Sequence, residues 1–178
     1  MGNAWRGWAE GRAGDFEAAK ASMARSQLVQ DEFGGMIIAA DWIAAINAEI
    51  AFGMGHVEEA LALAEQAIDI AQNMDGIFAE GLARQVQGQA LASLEPPRWD
   101  EAEDQLDKSL RLLKSGQIRV EAARTHVAWG SVCRDRGNLA AAREHWKKAA
   151  VQFETSNLRQ ELGQVHAFLA ELGSLPQE

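Results

Sequence analysis

The sequence predicts an all-α solenoid of about four helix hairpins followed by a capping helix. Three observations support this fold class: a short phrase recurs four times, apolar residues recur at helical spacing, and the composition favours helix over sheet. The 178 residues include three prolines, no tyrosine and 47% hydrophobic residues. Alanine is abundant, and it loses no side-chain entropy in a helix. A chain of this length is typical of one domain with its own core.

The recurring phrase first appears as Gly-Asp-Phe-Glu-Ala-Ala, and related residues follow the same order in three later copies. Its final alanines are Ala19, Ala60, Ala102 and Ala142, so successive copies are 40 to 42 residues apart. Near-equal spacing of this kind predicts stacked copies of one supersecondary unit, each packed against its neighbours.

Each copy of the phrase is typical of a turn between two helices. Gly14 ends the first helix because glycine adopts positive φ without a steric penalty. Asp15 and Asn138 are then placed to cap the next helix by accepting hydrogen bonds from free backbone N–H groups. In the third copy Pro96 and Pro97 mark the same boundary, since proline lacks an N–H and suits a helix start.

The predicted helices alternate between a first helix, A, and a second helix, B, in each repeat. The repeats cover about residues 1–33, 34–74, 75–116 and 117–156. Helices A lie at about 2–13, 35–54, 76–94 and 118–136, and helices B at about 15–32, 56–73, 98–115 and 138–155. A capping helix over 157–173, with Asn157 as its N-cap, covers the end of the stack. No linker divides the chain, so 1–178 is predicted to be one domain.

The charge and the apolar segments exclude several classes of partner. The net charge of −9 argues against nucleic acid, because phosphate backbones require clustered cations. The longest apolar run, Met36 to Phe52, contains Asp41, Asn47 and Glu49 and is too polar to span a membrane. A signal peptide is not recognisable, and a single cysteine allows no intrachain disulfide. We therefore expect a cytoplasmic protein without a membrane role.

Candidate catalytic chemistry is sparse. Cys133 and His126 are seven residues apart and share a helix face, but Cys133 occupies a repeat position normally filled by a packing residue. Carboxylate pairs such as Glu58 and Glu59 lie in the first turns of helices, where they complement the helix dipole. The histidines show no metal-ligand spacing. We expect no catalytic residue, no metal site and no cofactor, and hence not an enzyme.

The stretch from Ala123 to Ala149 resembles a tetratricopeptide repeat. The matching residues are Trp129, Gly130, Gly137, Asn138, Ala142, Trp146 and Ala149. The other copies keep parts of the pattern, so the resemblance covers essentially the whole chain. The common repeat has about 34 residues, and the longer period here is similar to the repeat arms of bacterial transcriptional regulators and nucleotide cyclases. The resemblance implies a right-handed superhelix with helices A on its concave face.

The resemblance also implies which residues line the concave face. The inward positions are Trp8, Arg12, Trp42, Glu49, Phe52, Gln85, Gln89, Arg124, Ser131 and Arg134. Such a groove suits a peptide or protein helix with an apolar anchor and an acidic end near Arg124 and Arg134, since guanidinium binds carboxylate through two parallel hydrogen bonds. The Lys and Asn clamp of chaperone-binding members is missing, which excludes that partner class. The alternative is that these side chains are merely solvated.

The leading interpretation is therefore a non-enzymatic module that binds a protein or peptide along the concave face. The alternative is a ligand-sensing regulatory arm of a bacterial signalling or transcription protein, which binds a small molecule or peptide. The first hairpin lacks a covering helix and leaves Trp5 and Trp8 exposed, so we expect a homodimer through this end or through helix 35–54. A fragment whose earlier repeats were removed would show the same open end.

Overall fold

The computed structural model describes the backbone of residues 2–32 and 39–174, and the side chains of these except 30–32 and 174. Over these residues the chain is all-helical, with nine helices and no strand, which confirms the predicted fold class. The helices are α1 (Gly2–Arg12), α2 (Phe16–Glu32), α3 (Ala40–Gly53), α4 (Val57–Asn73), α5 (Ile77–Ala92), α6 (Trp99–Ser115), α7 (Arg119–Asp135), α8 (Leu139–Thr155) and α9 (Arg159–Ser174). Residues 35–38 of the second predicted helix A lie outside the described residues.

The helices pack in the order of the chain. The pairs α1–α2, α3–α4, α5–α6 and α7–α8 form hairpins, and α9 packs on α8. The first helices of neighbouring hairpins also contact each other, from α1 to α3, α3 to α5 and α5 to α7, whereas the second helices show no packing of that extent. The odd-numbered helices α1 to α7 therefore form the inner layer of a curved, solenoid-like stack.

The turns follow the predicted logic with one exception. Gly14, at φ 83°, ends the first helix, and the Asp15 and Asn138 carboxyl and amide oxygens each accept a hydrogen bond from a backbone N–H three residues on. Asn157 is the exception. It has φ 56° and its N–H bonds to the Glu154 carbonyl, so it terminates α8 instead of capping α9. Asparagine tolerates this left-handed conformation.

The core consists of small residues facing large ones across each hairpin. The four phrase alanines, Ala19, Ala60, Ala102 and Ala142, are all 0% exposed. In the last hairpin Trp146 of α8 packs on Gly130 of α7, where an added Cβ would lie 2.4 Å from Trp146 Nε1. This close approach requires glycine. Over the described residues no helix is both long and apolar enough to cross a membrane.

Candidate ligand groove on the concave face

Five charged residues of the inner layer and of α9 form a chain of ion pairs, which we call the concave ion network. Arg12 of α1 donates from Nη2 to Glu121 Oε2 of α7 at 3.0 Å, and its Nε lies 3.0 Å from Glu49 Oε1 of α3. Arg124 of α7 donates to Glu121 Oε1, and from Nη2 to Glu161 Oε1 of α9 at 2.9 Å. The network therefore connects the first helix of the stack to the last.

Burial and pairing set the protonation of the network. Glu121 is only 4% exposed, and each of its carboxylate oxygens accepts from a different arginine. Burial raises the pKa of Glu49, although Arg12 opposes this. Burial also disfavours ionisation of Glu161, but hydrogen bonds from its own backbone and from Arg124 outweigh burial and lower its pKa. Three carboxylates thus surround two guanidinium groups.

This pairing bears on the expected ligand charge. Arg124 is held by two carboxylates, and Arg134 contacts its neighbour Asp135, with Nε 2.8 Å from Oδ1. Arg124 is therefore already paired within the network, whereas the Arg134 pair is exposed. The acidic anchor expected beside these two arginines stays a prediction.

A buried hydrogen-bonded chain orients one amide toward the groove. Ser109 donates to the Gly81 carbonyl at 2.7 Å and lies 3.1 Å from the Thr125 hydroxyl. That hydroxyl is within hydrogen-bond distance of Gln85 Oε1, at 3.0 Å, and of the Glu121 carbonyl, at 3.1 Å. The Thr125 hydroxyl has one hydrogen, so it donates to one of these acceptors at a time. The chain links the Gln85 amide of α5 to α6 and α7.

A cavity of about 300 Å³ opens beside the ion network, and we call it the groove cavity. Four amide side chains line it, Gln85 and Gln89 from α5 and Gln160 and Gln164 from α9. Its apolar lining comprises Val127, Ala128, Phe153, Val165 and Phe168, and Arg12, Arg124, Ser131 and Glu161 complete it. Amides donate and accept hydrogen bonds, so this lining suits a neutral polar group that carries an apolar portion.

Four rings form an aromatic cluster at the N-terminal end of the concave face. Trp5 and Trp42 have ring centroids 4.1 Å apart, Trp8 and Trp42 5.3 Å, and Trp42 and Phe78 5.0 Å. The Arg12 guanidinium carbon lies 5.3 Å from the Trp8 ring centroid, a cation–π distance. Trp5 is 50% exposed, while Trp8 is partly buried against the core. The homodimer contact expected at this end stays a prediction.

The groove cavity gathers half of the predicted site residues. Those that line it are Arg12, Gln85, Gln89, Arg124 and Ser131. Glu49 does not line the cavity but contacts Arg12, which does. Trp8 and Trp42 belong to the aromatic cluster. The predicted concave face is therefore divided into an aromatic end and a polar cavity.

Two predicted site residues lie elsewhere. Phe52 is partly buried and packs beside Leu63 against the buried alanines of α3 and α4, and it does not line the groove cavity. Arg134 lies 6.0 Å from the Trp146 ring centroid and pairs with Asp135, and it does not line the groove cavity. Arg134 shares the cavity-facing side of α7 with Val127 but lies one turn beyond Ser131, past the residues that line the cavity.

The sequence analysis did not predict several residues of the groove cavity, because it assigned α9 only the role of covering the end of the stack. It supplies Gln160, Gln164 and Phe168 to the cavity. Gln160 and Gln164 are four residues apart and therefore share a helix face, which is a signal that the sequence does carry. Glu121, the centre of the ion network, lies three residues before Arg124 and could have been recognised as its partner within one helix.

Cys133 and His126 do not form a nucleophile pair. Burial raises the pKa of Cys133 to about 11, so the thiol stays protonated at neutral pH. His126 instead pairs with His145 of α8, with the two Nδ1 atoms 3.0 Å apart. Over the described residues no group of three His, Cys, Asp or Glu side chains is arranged to hold a metal ion.

The paired histidines predict that stability falls in mild acid. Burial is the main cause that lowers the pKa of His126 to about 3 and the pKa of His145 to about 4. The charges of Lys114 and Lys148 add to this effect at each ring, and His145 also lowers the pKa of His126. A histidine in the unfolded chain has a pKa near 6.5. Below that pH the unfolded chain therefore binds protons at these two positions while the folded chain does not, which favours unfolding. The urea midpoint should fall as pH drops from about 6.5 toward about 4, and less steeply in a His126→Gln, His145→Gln variant.

The chain matches no protein-family model, and no curated protein sequence matches it. The geometry of the concave face is therefore the basis for assigning a function.

Proposed function

We propose that this protein is a non-enzymatic binding module that holds a segment of a partner protein or peptide across its concave face. The observation that carries the proposal is the groove cavity, in which four glutamine amides surround an apolar floor. A binding module is also what the tetratricopeptide resemblance of the sequence implies. We include a bacterial, cytoplasmic setting in the proposal.

The lining indicates the chemistry of the bound segment. A peptide main chain presents both N–H and C=O groups, and each glutamine amide can pair with either. Gln85, whose Oε1 lies 3.0 Å from the Thr125 hydroxyl, lines the cavity and can contribute a hydrogen bond to a main-chain group. Phe153 and Phe168 offer apolar contact to one side chain. A cavity of about 300 Å³ is at the lower end for ligand sites, so it accommodates a short segment.

The ion network indicates the charge of that segment. Its two guanidinium groups already pair with three carboxylates, so an additional anion would be repelled. A neutral or weakly basic segment is therefore favoured over an acidic one. The aromatic cluster, with Trp5 half-exposed, provides a second apolar contact farther along the same face.

Filling the cavity should weaken peptide binding. Ser131→Arg places a long side chain among the cavity amides, and Val151→Arg places the same side chain on α8, where Val151 is 66% exposed. Peptides selected from a displayed random library against the wild-type protein should bind Ser131→Arg at least about tenfold more weakly. Their affinity for Val151→Arg should match the wild type. Equal binding to all three proteins would exclude the groove cavity as the site.

A second candidate function is a sensor of a small neutral ligand. The number of helices that line the groove cavity favours it. These walls come from α1, α5, α7, α8 and α9, so one occupant contacts both ends of the stack and can bias its curvature. A tight native-state ligand raises the melting temperature. A metabolite fraction that raises the melting temperature of wild type but not of Ser131→Arg, without any selected peptide, would favour this candidate.

A further inference from the structure

A second cavity, of about 490 Å³, lies on the other side of α7 from the concave face. Its lining includes Ala122, Ala123 and His126 of α7, whereas the groove cavity is lined by Val127, Ala128 and Ser131 of the same helix. At 3.6 residues per turn these two sets face nearly opposite directions. The end of α6 and the middle of α8 form the walls, and we call this cavity the convex basic groove.

Three cations line the convex basic groove without a carboxylate. Lys114, Arg119 and Lys148 all contribute to it, and its other polar residues are Gln117, Gln152 and His126. Over the described residues none of the three cations forms an ion pair, and no acidic side chain lines the groove. The protein has a net charge of −9, yet the charged residues that line this groove are all cations.

Lysines elsewhere on the same helices show the ordinary arrangement. Lys108 of α6 lies 2.6 Å from Asp104, and Lys147 of α8 lies 3.0 Å from Glu144. Each has a carboxylate within one helical turn. The groove lysines, Lys114 and Lys148, line a cavity and form no ion pair among the described residues, although the charge of Lys148 also acts on Glu144 and lowers its pKa. A bound anion would pair with cations that converge on one cavity.

The histidine pair adds a neutral donor to the groove. His126 and His145 lie with their Nδ1 atoms 3.0 Å apart, so one ring donates to the other. When His145 donates, the remaining proton of His126 is on Nε2, and His126 lines the groove. The charges of Lys114 and Lys148 contribute to the lowered pKa of both rings. The lysine charges that act on the histidine pair are positive, and among the described residues no carboxylate contributes to the lowered pKa of either ring.

We propose that the convex basic groove binds a small phosphate-bearing ligand, with Lys114, Arg119 and Lys148 around its anionic oxygens. Phosphate has several acceptor oxygens and two charges near neutral pH, and three separate cations match such a group better than they match one carboxylate. The site is a cavity of limited volume on an acidic protein. An extended polyanion, such as nucleic acid or an anionic membrane, would be repelled by the remaining surface. The proposal does not depend on the concave face.

Isothermal titration of the full chain with sodium pyrophosphate tests the site. The wild-type protein should show saturable binding. Lys114→Gln with Lys148→Gln should weaken it at least about tenfold, since each exposed charge-assisted hydrogen bond accounts for part of the affinity. The matched control is Lys108→Gln with Lys147→Gln, which removes the same charge from the same helices and should bind as the wild type. Absence of saturable binding, or equal weakening in both double variants, would overturn the proposal.

Three further arms identify the ligand class and the place of binding. Citrate at equal ionic strength should bind more weakly than pyrophosphate, and the reverse would overturn the phosphate assignment. Vesicles of mixed phosphatidylcholine and phosphatidylglycerol should not bind, and vesicle binding lost in the groove double variant would assign the groove to a membrane instead. Pyrophosphate should raise the pKa of His126 and His145 in an NMR titration, because an anion stabilises imidazolium. Unchanged ring signals would place the pyrophosphate elsewhere and overturn the site.

Discussion

Replacing Trp146 by alanine is expected to lower the free energy of unfolding by about 3–5 kcal/mol, the usual cost of deleting a buried tryptophan. Trp146 is 1% exposed and lies against Gly130 of α7. Its ring centroid is 5.0 Å from that of Phe168 in α9, and its Nε1 donates to the Val127 carbonyl at 3.1 Å. The residue therefore joins α7, α8 and α9, and its removal opens a cavity among all three.

Urea unfolding followed by far-ultraviolet circular dichroism measures this loss without relying on tryptophan fluorescence. The matched control is Trp5→Ala, which deletes the same side chain at a 50% exposed position. We expect that control to cost about 1 kcal/mol, the order of one aromatic pair contact. Equal losses in the two variants would contradict the view that the last hairpin and α9 pack around Trp146.

The repeat could be predicted because the residues that define it lie close together in the sequence. The alanines at 19, 60, 102 and 142 end the four copies of the recurring phrase, and all are fully buried. Small and large residues that face each other across a hairpin, such as Gly130 and Trp146, lie 16 residues apart in the same repeat. Local spacing determines helix bounds and hairpin packing, which is why nearly all of the fold was predicted from the sequence.

The details of the site were less predictable, for two physical reasons. The rotation of about 100° per residue indicates which positions share a helix face, but it does not show how far a cavity extends along that face, and Arg134 lies one turn beyond the cavity lining of α7. Arg12 and Glu121 meet across 109 residues, and only the curvature of the whole stack brings them together. Asn157 was misassigned because asparagine suits both an N-cap and a left-handed helix end.

Replacing Glu121 by glutamine is expected to lower the free energy of unfolding by about 3 kcal/mol. Removing one partner from a buried ion network leaves the others with uncompensated charge, typically at a cost of about 3–5 kcal/mol. The lower end applies here because Arg12 keeps Glu49 and Arg124 keeps Glu161. Urea unfolding at neutral pH measures the loss.

Glu49→Gln is the matched control for the Glu121 variant. Glu49 contacts Arg12 at 3.0 Å, but the Arg12 Nε hydrogen is not aligned on a hydrogen-bond acceptor. Burial raises the pKa of Glu49 above its unfolded value. Its ionisation therefore costs stability as pH rises through the folded pKa, and that cost is present at neutral pH. Glutamine removes the cost together with the ion pair, so Glu49→Gln should change stability by less than about 1 kcal/mol.

The two variants should also differ in the shape of the stack. Glu121 pairs with Arg12 of α1, and α1 and α7 have no extensive helix packing of their own. Once this pair is lost, the concave face can open, and the radius of gyration in small-angle scattering should rise for Glu121→Gln but not for Glu49→Gln. A double-mutant cycle with Arg12→Met separates pairing from general charge effects, since only Glu121 should show strong coupling to Arg12. Equal coupling of both carboxylates would mean that the network balances charge without holding the two ends of the stack together.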